Sequence, residues 1–137
     1  MIKKIYITKT DLEKLRALIA GIHASDPKTQ TNLDKLEKEL DRAKVVSPQK
    51  VPKDVVTMNS QVRIFDSDSY SEATYTIVYP AQAKITDNKI SILAPLGTAL
   101  LGYRVGDIVE WEVPSGLKHF KIQEILYQPE AAGANSL

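Results

Sequence analysis

GIHASDPKTQTN, residues Gly21–Asn32, separates two leucine ladders, and whether it is a plain turn or a working tip decides how the N-terminal third is read. Before it, Leu12, Leu15, Ile19 and Ile22 recur at steps of three, four and three, the spacing of one apolar seam on a helix. Thr10 followed by Glu13 has the form of a capping box at the helix start. After it, Leu33, Leu36, Leu40 and Ala43 repeat the pattern, and Asp34 and Lys38 are spaced for an outer-face pair. Gly21 and Pro27 interrupt a continuous helix, and the Ser, Thr and Asn residues around them suit caps. A connection this short predicts antiparallel neighbours, a hairpin roughly 20 Å long by helical rise. Alone, such a pair buries one narrow stripe and is marginal.

Composition bounds what the hairpin is attached to. The chain has 137 residues, 43% of them hydrophobic, enough for one ordinary core or a small core with an appendage. It has no cysteine, which excludes disulfides and thiolate metal sites and is compatible with a reducing cytoplasm. Eighteen basic residues against 17 acidic give a formal charge of +1 and little long-range pull toward nucleic acid. No apolar run has the length of a membrane span, and the N-terminus lacks a cleavage-like end, so the expectation is a soluble cytoplasmic protein with no membrane partner.

Residues 47–58, with Pro48 and Pro52 and no helical period, read as a rigid linker between a hairpin at 1–46 and a second domain at 59–137. Beyond it the period becomes two: Val62 and Ile64, then Tyr75, Ile77 and Tyr79, then Val109, Trp111 and Val113. In HFKIQEILYQ the phase shifts between Phe120/Ile122 and Ile125/Tyr127, which predicts a bulge or a strand covered on both sides. PLGTALLGY is a helix of about two turns against the sheet, and PEAAGANSL a loose tail. The class is therefore α+β, an antiparallel sheet of four to six strands with one short helix. Trp111, Phe120 and Tyr75 are expected in its core.

The run ISILAPLGTALLGYRVGDIVEWEVPSGLKHFKIQEILY, residues 90–127, resembles the C-terminal domain of the bacterial transcript-cleavage factors of the GreA/GreB family. The shared features are the Ile-Ser strand, the loop proline, the Ala-Leu-Leu-Gly helix, an acidic turn after Val-Gly, a Pro-Gly type hairpin and a last strand ending in tyrosine. LDRAKVVSPQKVPKDVVTMNSQVRI at 40–64, ALLGYRVGD at 99–107 and YQPEAAG at 127–133 resemble more closely still its short-coil branch, the regulators of nucleoside diphosphate kinase. The resemblance implies an antiparallel coiled coil joined to a domain of FKBP-like topology. It also implies docking on RNA polymerase at the rim of the secondary channel, with nucleic acid met only through the polymerase complex.

It further implies what each site residue would do. Cleavage factors carry an acidic pair at the coil tip, because a second Mg²⁺ needs hard oxygen ligands and a two-metal site stabilises the attacking and leaving oxygens together. Here the tip offers His23 and the single acid Asp26. Asp26 is open to two readings, an N-cap or an acid shown to a basic channel wall. The expectation is no catalytic residue, no metal, no cofactor and no transcript cleavage. In the family the docking loop carries Asp-Ser-Pro; the residues here are Leu93, Ala94 and Pro95, so the proline matches and the acid does not. Leu93, Pro95 and Leu96 are the candidate polymerase contacts, with Leu93 and Leu96 equally readable as core. Gly97, Gly102 and Gly106 fit no phosphate-binding pattern, so an influence on nucleoside diphosphate kinase would be indirect. The chain is expected to be a monomer. Rival readings are an FKBP-like prolyl isomerase or chaperone, on fold alone, and a self-associating coiled-coil protein.

Overall fold

The computed structural model describes residues 5–22, 26–113 and 116–133, with backbone alone at 111–113. The N-terminal ladder folds as α1, Lys9–Ala20, entered from a two-residue strand β1, Tyr6–Ile7. Thr8, not Thr10, caps it, its hydroxyl accepting the Asp11 N–H at 3.2 Å. The second ladder is α2, Pro27–Asp41, with Pro27 in the first turn, where its missing N–H costs nothing. On its outer face Asp34 accepts from Gln30 at 2.9 Å, in place of the expected Lys38 pairing. Strand β2, Lys44–Val45, then pairs parallel with β1 and ties the base of the two helices together.

Five further strands form one sheet: β3 Gln61–Asp66, β4 Ser71–Val78, β5 Lys89–Ser91, β6 Ile108–Val113 and β7 Gly116–Tyr127. Their order is β5-β4-β3-β7-β6. The sheet is mixed, which corrects the expected all-antiparallel pairing: β5 runs parallel to β4. The chain reaches it through residues 79–88, a crossover with two 3₁₀ turns, at Pro80–Gln82 and Ile85–Asp87. The phase shift in β7 is realised as two register shifts against β3, which leave Gln123 and Leu126 without partners there.

Alternation sends Val62, Ile64, Ile77, Val109, Phe120 and Ile122 to one face of the sheet. Onto that face pack Leu96 and Leu100 of α3, Pro95–Leu100, and also Leu15, Leu36 and Leu40 of the two ladders. The leucine seam is thus shared between the hairpin and the sheet, in one continuous core. Residues 47–58 do not span a gap. Val51, Val55, Val56 and Met58 are buried, and the side-chain amide of Gln128 donates to the Pro52 and Val55 carbonyls at 2.8 and 2.7 Å. Gln128 leads into α4, Pro129–Ala132, whose Glu130 accepts from Thr57, so the start of the expected loose tail is folded against that segment.

Where the base of α1 meets the sheet, Tyr79 donates to Asp11 at 2.9 Å and Glu130 accepts from Thr57 at 2.8 Å. Burial, followed by the nearby Asp11 carboxylate, pushes the Tyr79 phenol far above its ordinary value, so it remains a donor throughout the working pH range. Burial also raises Glu130, Asp11 adding to the shift and the Thr57 bond opposing it. An acid raised on folding binds its proton more tightly in the native state, so its contribution to stability falls as pH climbs from about 4.5 through the native value. Glu130→Gln should therefore flatten the pH dependence of the urea midpoint over that interval. An unchanged slope would mean that Glu130 is not the group responsible.

Candidate functional site

Two places were singled out by the residues, the hairpin tip and the loop between β5 and α3. At the tip, α1 ends on Gly21 and α2 begins at Asp26, whose extended backbone (φ −131°, ψ 154°) is that of an N-cap. One Asp26 oxygen accepts the Thr29 N–H at 3.2 Å. Hydrogen bonds from Thr29, side chain first and then backbone, hold this carboxyl below its ordinary range. Asp26 therefore caps α2. His23 lies outside the described residues. Among the described residues, no group of three or more His, Asp or Glu side chains stands close enough to hold a metal ion. Asp26→Ala should lower the urea midpoint, because it removes the side-chain cap of α2.

The loop from Ser91 to Pro95 is fixed from within. The Ser91 hydroxyl accepts the Leu93 N–H at 3.0 Å, and its carbonyl accepts the Ala94 N–H at 3.0 Å. Pro95 opens α3 and is exposed, and Leu93 is half-buried. Leu96 is only 7% exposed and belongs to the core, so its candidacy as a contact is corrected: it supports the loop from beneath and cannot reach a partner without unpacking.

Asn32 brings the two places together, a role the residues alone did not reveal. Its side-chain amide donates to the Leu93 carbonyl at 2.7 Å and to the Thr98 hydroxyl at 3.1 Å, and that hydroxyl donates onward to the Ile92 carbonyl at 2.6 Å. Asn32 reads as one of several cap-type residues near a break. Its place beside Leu33, on the flank of the buried seam, was the available signal. It lies six positions beyond Asp26, about 9 Å of helix. Residues 26–31 are all exposed, so the part of α2 that clears the globular core is short. The expected 20 Å finger is mostly embedded.

On the opposite face of the sheet lies an open cleft of about 440 Å³ lined by Arg63, Glu72, Val105, Gly106, Lys121, Ile122 and Gln123. Among the described residues no helix is long and apolar enough to cross a membrane.

Comparison with known proteins agrees along nearly the whole chain. Residues 51–127 match the family model described as transcription elongation factor, GreA/GreB, C-terminal, and residues 3–46 match the Rnk N-terminus. The regulator of nucleoside diphosphate kinase of Escherichia coli K12 is 48% identical over 101 residues, covering 73% of this chain and 74% of the relative. Transcription elongation factor GreA of Clostridium botulinum Eklund 17B is 40% identical over 97 residues, 71% of this chain and 61% of the relative. A solved GreA/GreB elongation factor from Nitrosomonas europaea superposes with a TM-score of 0.78 at 43% identity, covering 92% of this chain and all of the other. With both halves matched and the α+β fold shared, the chain belongs to the GreA/GreB family of transcription elongation factors and carries the Rnk type of N-terminus.

Proposed function

We propose that this protein is a non-enzymatic transcription regulator that binds RNA polymerase at the rim of the secondary channel, through the Leu93–Pro95 loop, and presents the hairpin tip to the channel mouth. It competes there with the cleavage factors and does not stimulate transcript cleavage. The observation that carries this reading is Asp26: the one acid between Gly21 and Asn32 is engaged in capping α2, on a tip that stands about 9 Å beyond the Asn32 tie. A Mg²⁺ shared between protein and polymerase needs several free oxygen ligands, which one capping carboxylate does not supply. Leu93 and Pro95 replace an acidic contact by an apolar one, with Leu96 as their support. The protein acts as a cytoplasmic monomer of hairpin and coil (1–46), packed connector (47–58) and FKBP-like domain (59–137), without a cofactor. Effects on nucleoside diphosphate kinase follow indirectly, through transcription.

The test is displacement. Increasing cleavage factor should release this protein from core polymerase in a pull-down, and adding the protein to backtracked complexes should leave labelled RNA at full length and inhibit cleavage by the longer factors. No binding to polymerase, or shortened RNA with this protein alone, would refute the proposal. The isomerase reading has only the fold behind it, and the cleft beside Arg63 is open and carries Glu72 and Lys121 in its lining. A proline-peptide isomerisation assay should give the uncatalysed rate.

A further inference from the structure

The two proposed contact elements, tip and docking loop, belong to different parts of the chain, so their relative placement must be set by something between them. The lower hairpin is held by Leu15, Leu36 and Leu40 in the core, by the β1–β2 pairing and by the Tyr79–Asp11 bond. Above Leu33 every residue of α2 back to Asp26 is exposed except Asn32. Asn32 therefore stands at the level where α2 leaves the globular part, and its amide reaches across to the carbonyl of Leu93, two residues before Pro95.

We infer that Asn32 is a positioning residue: its two donated hydrogen bonds lock the hairpin tip to the Leu93–Pro95 loop and so set the distance and angle at which a docked molecule offers its tip. The inference rests on the proposed docking reading for its consequence on polymerase, though the lock itself is a property of the free chain. The chemistry is directional. The Leu93 carbonyl precedes the first turn of α3 and takes no part in that helix, whose first bond runs from Thr98 N–H to the Ala94 carbonyl at 3.0 Å. Asn32 supplies the donor that this carbonyl otherwise lacks within α3. The second bond, to Thr98, continues through the Thr98 hydroxyl to the Ile92 carbonyl at the end of β5. One side chain thus links α2, the loop and the edge of the sheet.

Asn32→Asp keeps the shape and removes the donor, placing a carboxylate against a carbonyl; Asn32→Leu removes the donor without adding charge. The chain has no cysteine, so Lys28→Cys on the exposed first turn of α2 and Lys121→Cys on the sheet can carry the only two spin labels. The parent should give one narrow distance distribution. Both variants should broaden it or add a second population while the folded signal by circular dichroism persists. With a photo-crosslinker on Lys28→Cys, the variants should lose tip crosslinking to polymerase several-fold, while the concentration of cleavage factor needed to displace them stays unchanged. An unchanged distance distribution in both variants overturns the inference. So does broadening with unaltered crosslinking, or a loss of docking itself, which would make Asn32 a contact. If the parent does not bind polymerase at all, the proposed function fails, and the distance measurement still decides the lock.

Discussion

Gly97→Ala should cost this protein more than 3 kcal/mol, the upper end of overpacking penalties, and lower its thermal midpoint by roughly 10 °C or more. A Cβ added at Gly97 would stand 2.3 Å from the Ser91 carbonyl oxygen, 3.1 Å from the Ser91 carbonyl carbon and 3.2 Å from the Ile92 Cα. All three are backbone atoms, so no side chain can swing aside. Relief requires α3 to lift from the end of β5, and that end also carries the Ser91 bonds that shape the proposed docking loop. Stability and polymerase binding should therefore fall together. Gly21→Ala is the control. Among the described residues its Cβ would meet the Ala17 and Leu18 carbonyls at 3.7 and 3.8 Å, ordinary contact distances, and its φ of −88° suits any residue. That substitution should stay within about 0.5 kcal/mol of the parent. Urea unfolding of both variants reads the difference, and an undiminished Gly97→Ala midpoint would mean that α3 does not sit this close to the strand.

How much of this was visible beforehand depended on whether the signal was local. The two ladders, the main strands and the short helix announce themselves by period, and the bulges in β7 by the change of phase after Ile122. The helix start was legible only in type. Thr8 and Thr10 each precede an acidic residue by three positions, Asp11 and Glu13, so the local signal is degenerate. The β1–β2 pairing selects Thr8 by ending the extended chain just before it. What escaped was long-range. Residues 47–58 show no period although their valines are buried, and the polar tie that holds them comes from Gln128, 73 and 76 residues away. The parallel placement of β5 is equally silent, a three-residue strand too short to carry a pattern. At the candidate site, Asp26 and Pro95 stand where motif and cap chemistry put them. The burial of Leu96 and the reach of Asn32 depend on how α2 lies against α3, and no local pattern encodes that.

The sharing of the leucine seam leads to the second large effect. Leu36→Ala should destabilise the protein by about 2–5 kcal/mol, the range for a fully buried leucine that leaves a cavity. Against a typical total of about 5–15 kcal/mol, this is a large fraction. The side chain is 0% exposed and lies in the same cluster as Ile92, Leu96 and Leu100. Were the hairpin an independent appendage, the loss would melt its helices first and leave the sheet intact. Because Leu36 belongs to the sheet's own core, helix and sheet should instead unfold together. The single tryptophan, Trp111 on β6, reports the sheet by fluorescence, and helical circular dichroism reports mainly α1 and α2. The two transitions should coincide in the parent and remain coincident, at a lower urea midpoint, in Leu36→Ala. Leu12→Ala, at a half-buried position nearer the base of α1, should shift both by less. Separated transitions would mean that the hairpin folds apart from the sheet, and the placement of the tip would then depend on a flexible joint. Coincident ones make the embedded hairpin part of the same unit as the proposed docking loop, so that binding through Leu93–Pro95, as proposed, would carry the tip to a fixed place.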